Sequence, residues 1–352
     1  MTLSPVFRSQ DAVRALIASG HFESLAPSIS AEREYTRALR RLLDDVISER
    51  FLSNEEESDD DIEFLQEHFF LILFDSIFRS LDCPPHRLKM YGILNLTLKG
   101  MIVAGDNLFD GEAKMDLPLK LGEGPRFLSI MQLLCFDHLM VRVFETNPEH
   151  GSPDQVVRFR RELLTRLARI GTLEGSEEAG RDEILPVQEM VDRVHRVRGG
   201  QLFSLSMIAP LIWEDPVTLD RWRKATDGIA RLGTAFQIVD DLTDFEFDLK
   251  RRSHNLLAAQ IHHHGSPDEK STLTRLRGGS KPDGATAEEH FADSAKTILT
   301  LARHEAEAGF EALAGVGFWF PPQDAEMFIR AIAGDAGDRR MHAVANAAQP
   351  AL

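Results

Sequence analysis

The chain has 352 residues, with 40 lysines and arginines against 56 aspartates and glutamates, which gives a formal net charge of −16. This excess of acid argues against binding to the phosphate backbone of nucleic acids and against docking on anionic lipid. The apolar share of 43% and the charged share of 27% are those of an ordinary globular protein, and a phosphorylated small substrate stays compatible with them if metal ions neutralise part of the acid.

Apolar residues recur at helical spacing along almost the whole chain, and alternating strand patterns are nearly absent. The spacing predicts ten helices, at residues 31–51, 62–80, 86–110, 126–147, 153–172, 186–212, 217–248, 253–264, 286–313 and 323–334. Helix 126–147 is apolar on nearly all sides and is predicted to be central. We therefore expect a single all-α domain over residues 1–334, with a flexible loop at 265–286 and a frayed tail at 335–352.

The cysteine content and the N-terminal residues bear on the cellular location of the protein. Cys83 and Cys135 are too few for a disulfide framework, so a cytoplasmic location is expected. The first ten residues lack the pattern of a signal peptide. The longest strongly apolar run, residues 69–74, is far short of the roughly 20 residues that span a bilayer, so no membrane span is expected.

A first acidic cluster ends the predicted helix 86–110. Asp106 and Asp110 are four residues apart and share one helical face, with Asn107 beside them. Carboxylates at a helix C-terminus are disfavoured by the helix dipole, so two of them after an apolar helix indicate that a cation is expected there. The alternative is a solvated helix end.

A second acidic cluster lies in residues 236–248. Asp240, Asp244 and Asp248 follow one another at intervals of four, and Asp241 flanks them. Like charges at this spacing destabilise a helix, and the interleaved aromatic residues would hold the ridge against a core. Divalent cations such as Mg²⁺, which take carboxylate oxygens and substrate phosphates, are the natural compensation. The alternative is an exposed acidic helix face.

Basic residues occur before and after the second acidic cluster. Arg198 precedes Gly199-Gly200, a pair that is unfavourable in a helix and predicts a kink or a close backbone approach. Lys250, Arg251 and Arg252 directly follow the second acidic cluster. These side chains could hold a diphosphate opposite the metals. The alternatives are an exposed helix arginine and a favourable charge at a helix C-terminus.

These motifs resemble those of the polyprenyl diphosphate synthases. Residues 236–244, FQIVDDLTD, resemble the second aspartate-rich motif of that family, FQxxDDxxD. Residues 106–110, DNLFD, resemble a degenerate first motif, and residues 198–203, RGGQLF, resemble its KTxxLF segment. The resemblance covers about residues 90–260.

The resemblance implies an all-α class I isoprenoid synthase fold, a helical bundle around a central cavity, in which three Mg²⁺ ions draw the diphosphate from an allylic prenyl diphosphate substrate. One wall of metal ligands would be Asp106, Asn107 and Asp110, and the other Asp240, Asp241 and Asp244. Arg198, Lys250 and Arg251 would hold the diphosphate, and Gln237 would line the cavity. Homodimerisation is a further expectation of the family.

Several departures from the family pattern bear on the reaction. Residues 1–60 contain no glycine-lysine-arginine segment, and no arginine pair follows Asp110, so the features that bind a second diphosphate are missing. Asp240, Asp244 and Asp248 also keep the ligand spacing of the related terpene synthases. Cyclisation or an atypical prenyl transfer is therefore favoured over regular elongation with isopentenyl diphosphate. A catalytically weak homologue that binds a prenyl diphosphate or a partner protein is the alternative of another class.

Overall fold

The computed structural model describes residues 15 and 18–347, except 54–59, 113, 123, 148–150 and 280–285. Within these ranges the chain is all-α, as predicted, and its one extended pairing is an isolated bridge between Leu52 and Leu119. The first helices are α1 (His21–Leu43), α2 (Asp61–Ser80), α3 (Pro85–Asp110), α4 (Pro125–Thr146) and α5 (Pro153–Gly175).

A continuous run of mixed helix types follows α5. It consists of α6 (Val187–Met190), a π-helix (Val191–Gln201), α7 (Leu202–Ser204), a 3-10 turn (Leu205–Met207) and α8 (Ile208–Trp213). The remaining helices are α9 (Leu219–Thr243), α10 (Phe245–Arg251), α11 (Leu256–His264), α12 (Pro267–Arg277), α13 (Thr286–His290), α14 (Ala292–Ala314), α15 (Ala325–Ile332) and α16 (Gly334–Ala347).

Helix boundaries follow local chemistry. Asp60 caps α2, because its carboxylate accepts hydrogen bonds from the backbone N–H groups of Ile62 and Glu63, which agrees with the cap expected in the acidic stretch. Helix α1 begins ten residues before the predicted start at 31, and it contains Pro27 in its second turn. Because Pro27 lies beyond the first turn, its missing N–H group removes one backbone hydrogen bond from α1, that to the carbonyl oxygen of Glu23.

Helix α9 forms the centre of the fold. Trp222, Ile229 and Ile238 on it are fully buried, and it packs against α14 and the π-helix. The prediction that residues 126–147 are central is wrong: α4 packs against α3 but leaves Phe127, Ile130 and Leu134 exposed by 55%, 45% and 60%. A helix that is apolar on all sides can therefore lie at the centre of a fold or carry an exposed apolar face, and the sequence pattern does not distinguish the two.

Helix α4 also has the length and mean hydropathy of a membrane-crossing helix, and 39% of its apolar window is buried. Core helices of globular proteins meet the same criteria, so this property alone is weak evidence for a membrane span.

A close backbone crossing joins the π-helix to α9, which confirms the approach predicted from the glycine pair. A Cβ atom placed on Gly199 would lie 2.1 Å from the carbonyl oxygen of Gly233, and one placed on Gly233 would lie 2.3 Å from the carbonyl oxygen of Gly199. A Cβ atom placed on Gly200 would lie 3.0 Å from the carbonyl oxygen of Ala230. Only glycine fits at such a crossing.

Three predicted features differ in the structure. The single helix expected at 217–248 is broken at Asp244, whose φ of −99° and ψ of 13° separate α9 from α10. Most of the loop expected at 265–286 is helical: α12 begins with a capping box between Ser266 and Glu269, and residues 280–285 lie outside the described residues. The expected frayed tail forms α16 as far as Ala347, and residues 348–352 are not described.

Candidate active site

The second acidic cluster lies at the C-terminal end of α9. Asp240 is half-buried in the last turn, Asp244 is exposed at the helix break, and Asp248 is half-buried in α10. The backbone N–H of Asp244 still donates to the carbonyl oxygen of Asp240, at 2.8 Å, and that of Asp248 to Asp244, at 2.9 Å. The break therefore leaves the three residues in successive turns.

Burial and the neighbouring carboxylates raise the pKa of Asp240 and that of Asp248. Burial is the main cause of the raised pKa of Asp240, the charges of Asp244 and Asp241 add to it, and Arg198 and a hydrogen bond from Gln237 oppose it. Burial also raises the pKa of Asp248, with Asp241 adding to it and a hydrogen bond from Asn255 opposing it. The cluster holds more negative charge than the neighbouring cations offset, which is the condition that a divalent cation relieves.

Asp241 has a different environment from its neighbours. It is 3% exposed, and its Oδ2 accepts from Nε2 of His195 at 2.8 Å and from the backbone N–H of Leu256 at 2.5 Å. Nδ1 of His195 lies 3.1 Å from the carbonyl oxygen of Met190. This buried pair joins the π-helix, α9 and the start of α11. Asp241, which was predicted to be a metal ligand, thus makes contacts that hold three helices together.

Arg198, predicted to hold a diphosphate, is paired within the protein. Its guanidinium is 15% exposed and forms ion pairs with Glu174, at the end of α5, and with Glu177, the latter at 2.9 Å. Glu177 also accepts from the backbone N–H of His254 at 3.1 Å. The glutamates were not predicted as site residues, because their contacts with Arg198 cross a loop that has no sequence signal.

The other predicted substrate-binding residues differ in burial: Gln237 is buried, whereas Lys250 and Arg251 are exposed. Gln237 is 5% exposed, and its Nε2 donates to Oδ2 of Asp240 at 3.1 Å, so it lies directly against the acidic cluster. Lys250 and Arg251 are exposed at the end of α10. The guanidinium of Arg251 lies 5.2 Å from the ring centre of Phe247.

The first acidic cluster ends α3, as predicted, where Gly111 takes a left-handed conformation with φ of 71°. Asp106 is exposed, but Asn107 is 1% exposed and its side chain exchanges two hydrogen bonds with the backbone of Lys114, at 2.8 and 3.1 Å. Asn107 thus fastens the loop after α3 instead of facing a ligand. The side chain of Asp110 lies outside the described residues.

The two clusters sit on helices with different main neighbours. Helix α3 packs mainly on α1, α2 and α4, whereas α9 packs on α14 and the π-helix. Over the described ranges, no group of three or more histidine, cysteine, aspartate or glutamate side chains is arranged to hold a metal ion. A cation at Asp240 and Asp244 would therefore draw its remaining ligands from water or a bound substrate, which is usual for Mg²⁺.

An aromatic cluster lies next to the acidic end of α9. Phe236, one turn before Asp240, stacks on Phe203 with ring centres 5.6 Å apart, and Phe70 meets both rings edge-on at 4.7 and 5.6 Å. Phe78 and Phe136 are core residues at 1% exposure. The cluster adjoins the acidic end of α9 through Phe236, which lies one helical turn before Asp240.

Arg340 on α16 is a further residue that sequence reasoning missed. Its guanidinium donates to the carbonyl oxygens of Leu242 and Thr243, at 2.7 and 3.1 Å, and pairs with Glu246 and Glu288, both at 2.9 Å. It thereby satisfies the last carbonyl groups of α9, directly beside Asp244.

Comparison with solved structures identifies the fold, although comparisons by sequence find no match. No protein-family model matches the sequence, and no curated protein matches it significantly. Among solved structures, a decaprenyl diphosphate synthase from Rhodobacter capsulatus matches with a TM-score of 0.58 at 16% identity, over 93% of this chain and 99% of the other. A polyprenyl synthase from Caulobacter crescentus CB15, complexed with calcium and isoprenyl diphosphate, matches with a TM-score of 0.58 at 17% identity, over 90% and 98%.

The octaprenyl pyrophosphate synthase from Helicobacter pylori matches with a TM-score of 0.56 at 13% identity, over 90% of this chain and 98% of the other. The protein therefore has the all-α fold of the isoprenoid synthases. More particularly, its fold is that of the polyprenyl diphosphate synthases, as the motif resemblance implied.

The raised pKa values of Asp240 and Asp248 predict how pH affects stability. A carboxyl with a higher pKa in the folded than in the unfolded chain holds its proton more tightly when folded, so its stabilising contribution is lost as the pH rises above about 4. We expect the Tm of metal-free protein to fall as the pH rises through the neutral range. Mg²⁺ should raise the Tm more at neutral than at acidic pH, as thermal unfolding followed by circular dichroism would show. A Mg²⁺ effect that is the same at both would contradict this.

Proposed function

We propose that this protein is a Mg²⁺-dependent isoprenoid synthase that ionises an allylic prenyl diphosphate and then cyclises the cation or transfers it in an atypical reaction. The observation that carries the proposal is the under-compensated carboxylate cluster of Asp240, Asp244 and Asp248 on a polyprenyl-synthase fold. The aromatic cluster of Phe70, Phe203 and Phe236 beside it supports carbocation chemistry.

The residues present fit a divalent cation at the second acidic cluster. Asp240 and Asp244 would hold it, with Asp106 and Asp110 as the predicted ligands of the other wall. When bound, the metal would neutralise the charge that develops on the departing diphosphate. Gln237 would keep the Asp240 carboxylate in place, since it already donates to Oδ2 of that residue.

The chain's own cations contribute less to diphosphate binding than the resemblance implied. Arg198 is paired with Glu174 and Glu177, so it offers a diphosphate little net charge unless the glutamates move away. Lys250 and Arg251 are exposed and remain the proposed diphosphate-binding residues. The same ion pairs are the specific observation that favours the second candidate, a weakly catalytic protein that binds a prenyl diphosphate or a partner.

The reaction is tested by incubating the purified protein and Mg²⁺ with geranyl, farnesyl and geranylgeranyl diphosphates, each with and without isopentenyl diphosphate. Hydrocarbons or alcohols from one diphosphate alone are the expected products. Longer diphosphates would support regular elongation instead. Tight binding of a prenyl diphosphate without release of pyrophosphate, by folded protein, would support the binding protein and overturn the enzyme.

Homodimerisation, expected from the resemblance, is supported by an exposed apolar face on two neighbouring helices. Ile130 and Leu134 on α4 and Val157 and Leu164 on α5 are exposed by 45–63%. The helices are joined by the ion pair between Arg160 and Asp137, at 2.8 Å. A second copy of the chain that covers this face would remove the apolar area from water.

Leu134→Glu is therefore expected to convert the dimer to a monomer, because a charge would be buried at the centre of the apolar face. Light scattering coupled to size-exclusion chromatography measures the mass. Val217→Glu is the matched control, since Val217 is apolar and 89% exposed on the turn before α9. A monomeric wild-type protein, or equal dissociation by both variants, would contradict the proposal.

A further inference from the structure

Asn255 connects the two helices that carry the second acidic cluster. It is 2% exposed and lies directly before the first residue of α11. Its Nδ2 atom donates to the backbone carbonyl oxygen of Asp241 on α9, at 2.6 Å, and to Oδ2 of Asp248 on α10, at 2.9 Å. One amide group thus bridges the helix break at Asp244.

The contacts of Asn255 use both ends of its amide group. Its Oδ1 atom accepts from the backbone N–H of Ala258 at 3.1 Å, which caps the N-terminus of α11. The two partners of Nδ2 are a carbonyl oxygen and a carboxylate oxygen, and an asparagine amide supplies the two protons that they take. Aspartate and serine also cap helices, but neither offers a pair of N–H donors. The contacts across the break, and not the cap, therefore require an asparagine here.

Leu256, the first residue of α11, adds a further contact to the acidic cluster. Its backbone N–H donates to Oδ2 of Asp241 at 2.5 Å. The N-terminal end of a helix carries partial positive charge, which favours carboxylates placed beside it. The start of α11 therefore holds Asp241 and Asp248 at fixed positions relative to each other.

The helix break makes this bridge necessary. In an unbroken helix, residues four apart lie on one face and need no outside contact to stay there. Asp244 interrupts the helix, with φ of −99° and ψ of 13°, so the direction of α10 is not set by α9 alone. The hydrogen bond from Asn255 holds the carboxylate of Asp248 to the end of α9 across this break.

We propose that Asn255 is a positioning residue of the metal site, which holds the carboxylate of Asp248 so that it can act on the same divalent cation as those of Asp240 and Asp244. Asn255 itself does not bind the cation. Hydrogen-bond partners that orient a metal-binding carboxylate typically contribute roughly 10- to 100-fold to metal affinity. The inference rests on the proposed function, since it requires a cation at the second acidic cluster.

The test measures the binding of Mn²⁺, a stand-in for Mg²⁺, to the full-length protein through the electron paramagnetic resonance signal of the free ion. Asn255→Ser keeps a side chain that can cap α11 but removes the amide group, so it should weaken Mn²⁺ binding roughly tenfold. In an Asp248→Asn background the same substitution should have no further effect, because the carboxylate through which Asn255 acts is gone. All measurements use protein whose circular dichroism spectrum matches that of the wild type.

Ser152→Ala is the control for a loss of helix capping. Ser152 caps α5 through a capping box and lies outside the acidic cluster, so this variant should bind Mn²⁺ as the wild type does. Three results would overturn the positioning role and leave the metal site standing: wild-type affinity in Asn255→Ser, equal weakening by Ser152→Ala, or an undiminished effect of Asn255→Ser in the Asp248→Asn background. A wild-type protein that binds no Mn²⁺ at millimolar concentration would overturn the metal site as well.

Discussion

Replacing Asp240 by asparagine is expected to reduce the release of pyrophosphate from an allylic prenyl diphosphate by about 100-fold or more. The substitution keeps the size of the side chain and its contact with Gln237, but it removes a carboxylate that lies close to the charges of Asp244 and Asp241. A cation bound there would lose a charged ligand. A coupled assay for inorganic pyrophosphate, with Mg²⁺ present, measures the rate.

Asp227→Asn is the control for this prediction. Asp227 lies on the same helix, α9, but it is exposed and far from the acidic end, so the variant should keep the wild-type rate. Asp240→Asn should also gain stability in metal-free buffer at neutral pH, because it removes a repelling charge. A rate for Asp240→Asn equal to that of Asp227→Asn would show that the metal assignment is wrong.

Gly199→Ala is expected to have the largest effect on stability, about 3 kcal/mol or more. The new Cβ would lie 2.1 Å from the carbonyl oxygen of Gly233, and backbone on both sides of the crossing cannot move away independently. For a chain of this length the Tm should fall by roughly 4 °C or more. Urea unfolding monitored by circular dichroism gives the free energy.

A helical glycine with open space around it provides the matched control. A Cβ placed on Gly171, in α5, meets no atom within 4 Å, so Gly171→Ala should be neutral or stabilise the protein by up to about 1 kcal/mol. Equal stability of the two alanine variants would mean that the π-helix and α9 do not cross as closely as described.

The fold was largely predictable from the sequence because most helices carry their own apolar stripe and end at prolines or glycines. The structure confirms an all-α protein and the ends of α2 and α3. Helix α16 was missed because residues 334–347 are small and polar, so their helical state depends on contacts with distant residues such as Glu246. The break at Asp244 was missed because nothing local requires it.

The acidic cluster of α9 was predictable because its residues are close in sequence. The roles of individual side chains were not, since these depend on partners far along the chain. Asp241 faces His195, 46 residues away, and Arg198 faces Glu174, 24 residues away. Asn107 is a case where the motif position matches the family but the side chain holds a loop.

Arg340 has a consequence for how the protein is made. The ribosome releases the chain from its N-terminus, so α9 and its aspartates emerge about a hundred residues before the arginine that binds the last carbonyl groups of that helix. Until then the last carbonyl groups of α9 lack this partner. A nascent chain that stalls before residue 340 therefore holds α9 without the guanidinium group that binds the carbonyl oxygens of Leu242 and Thr243.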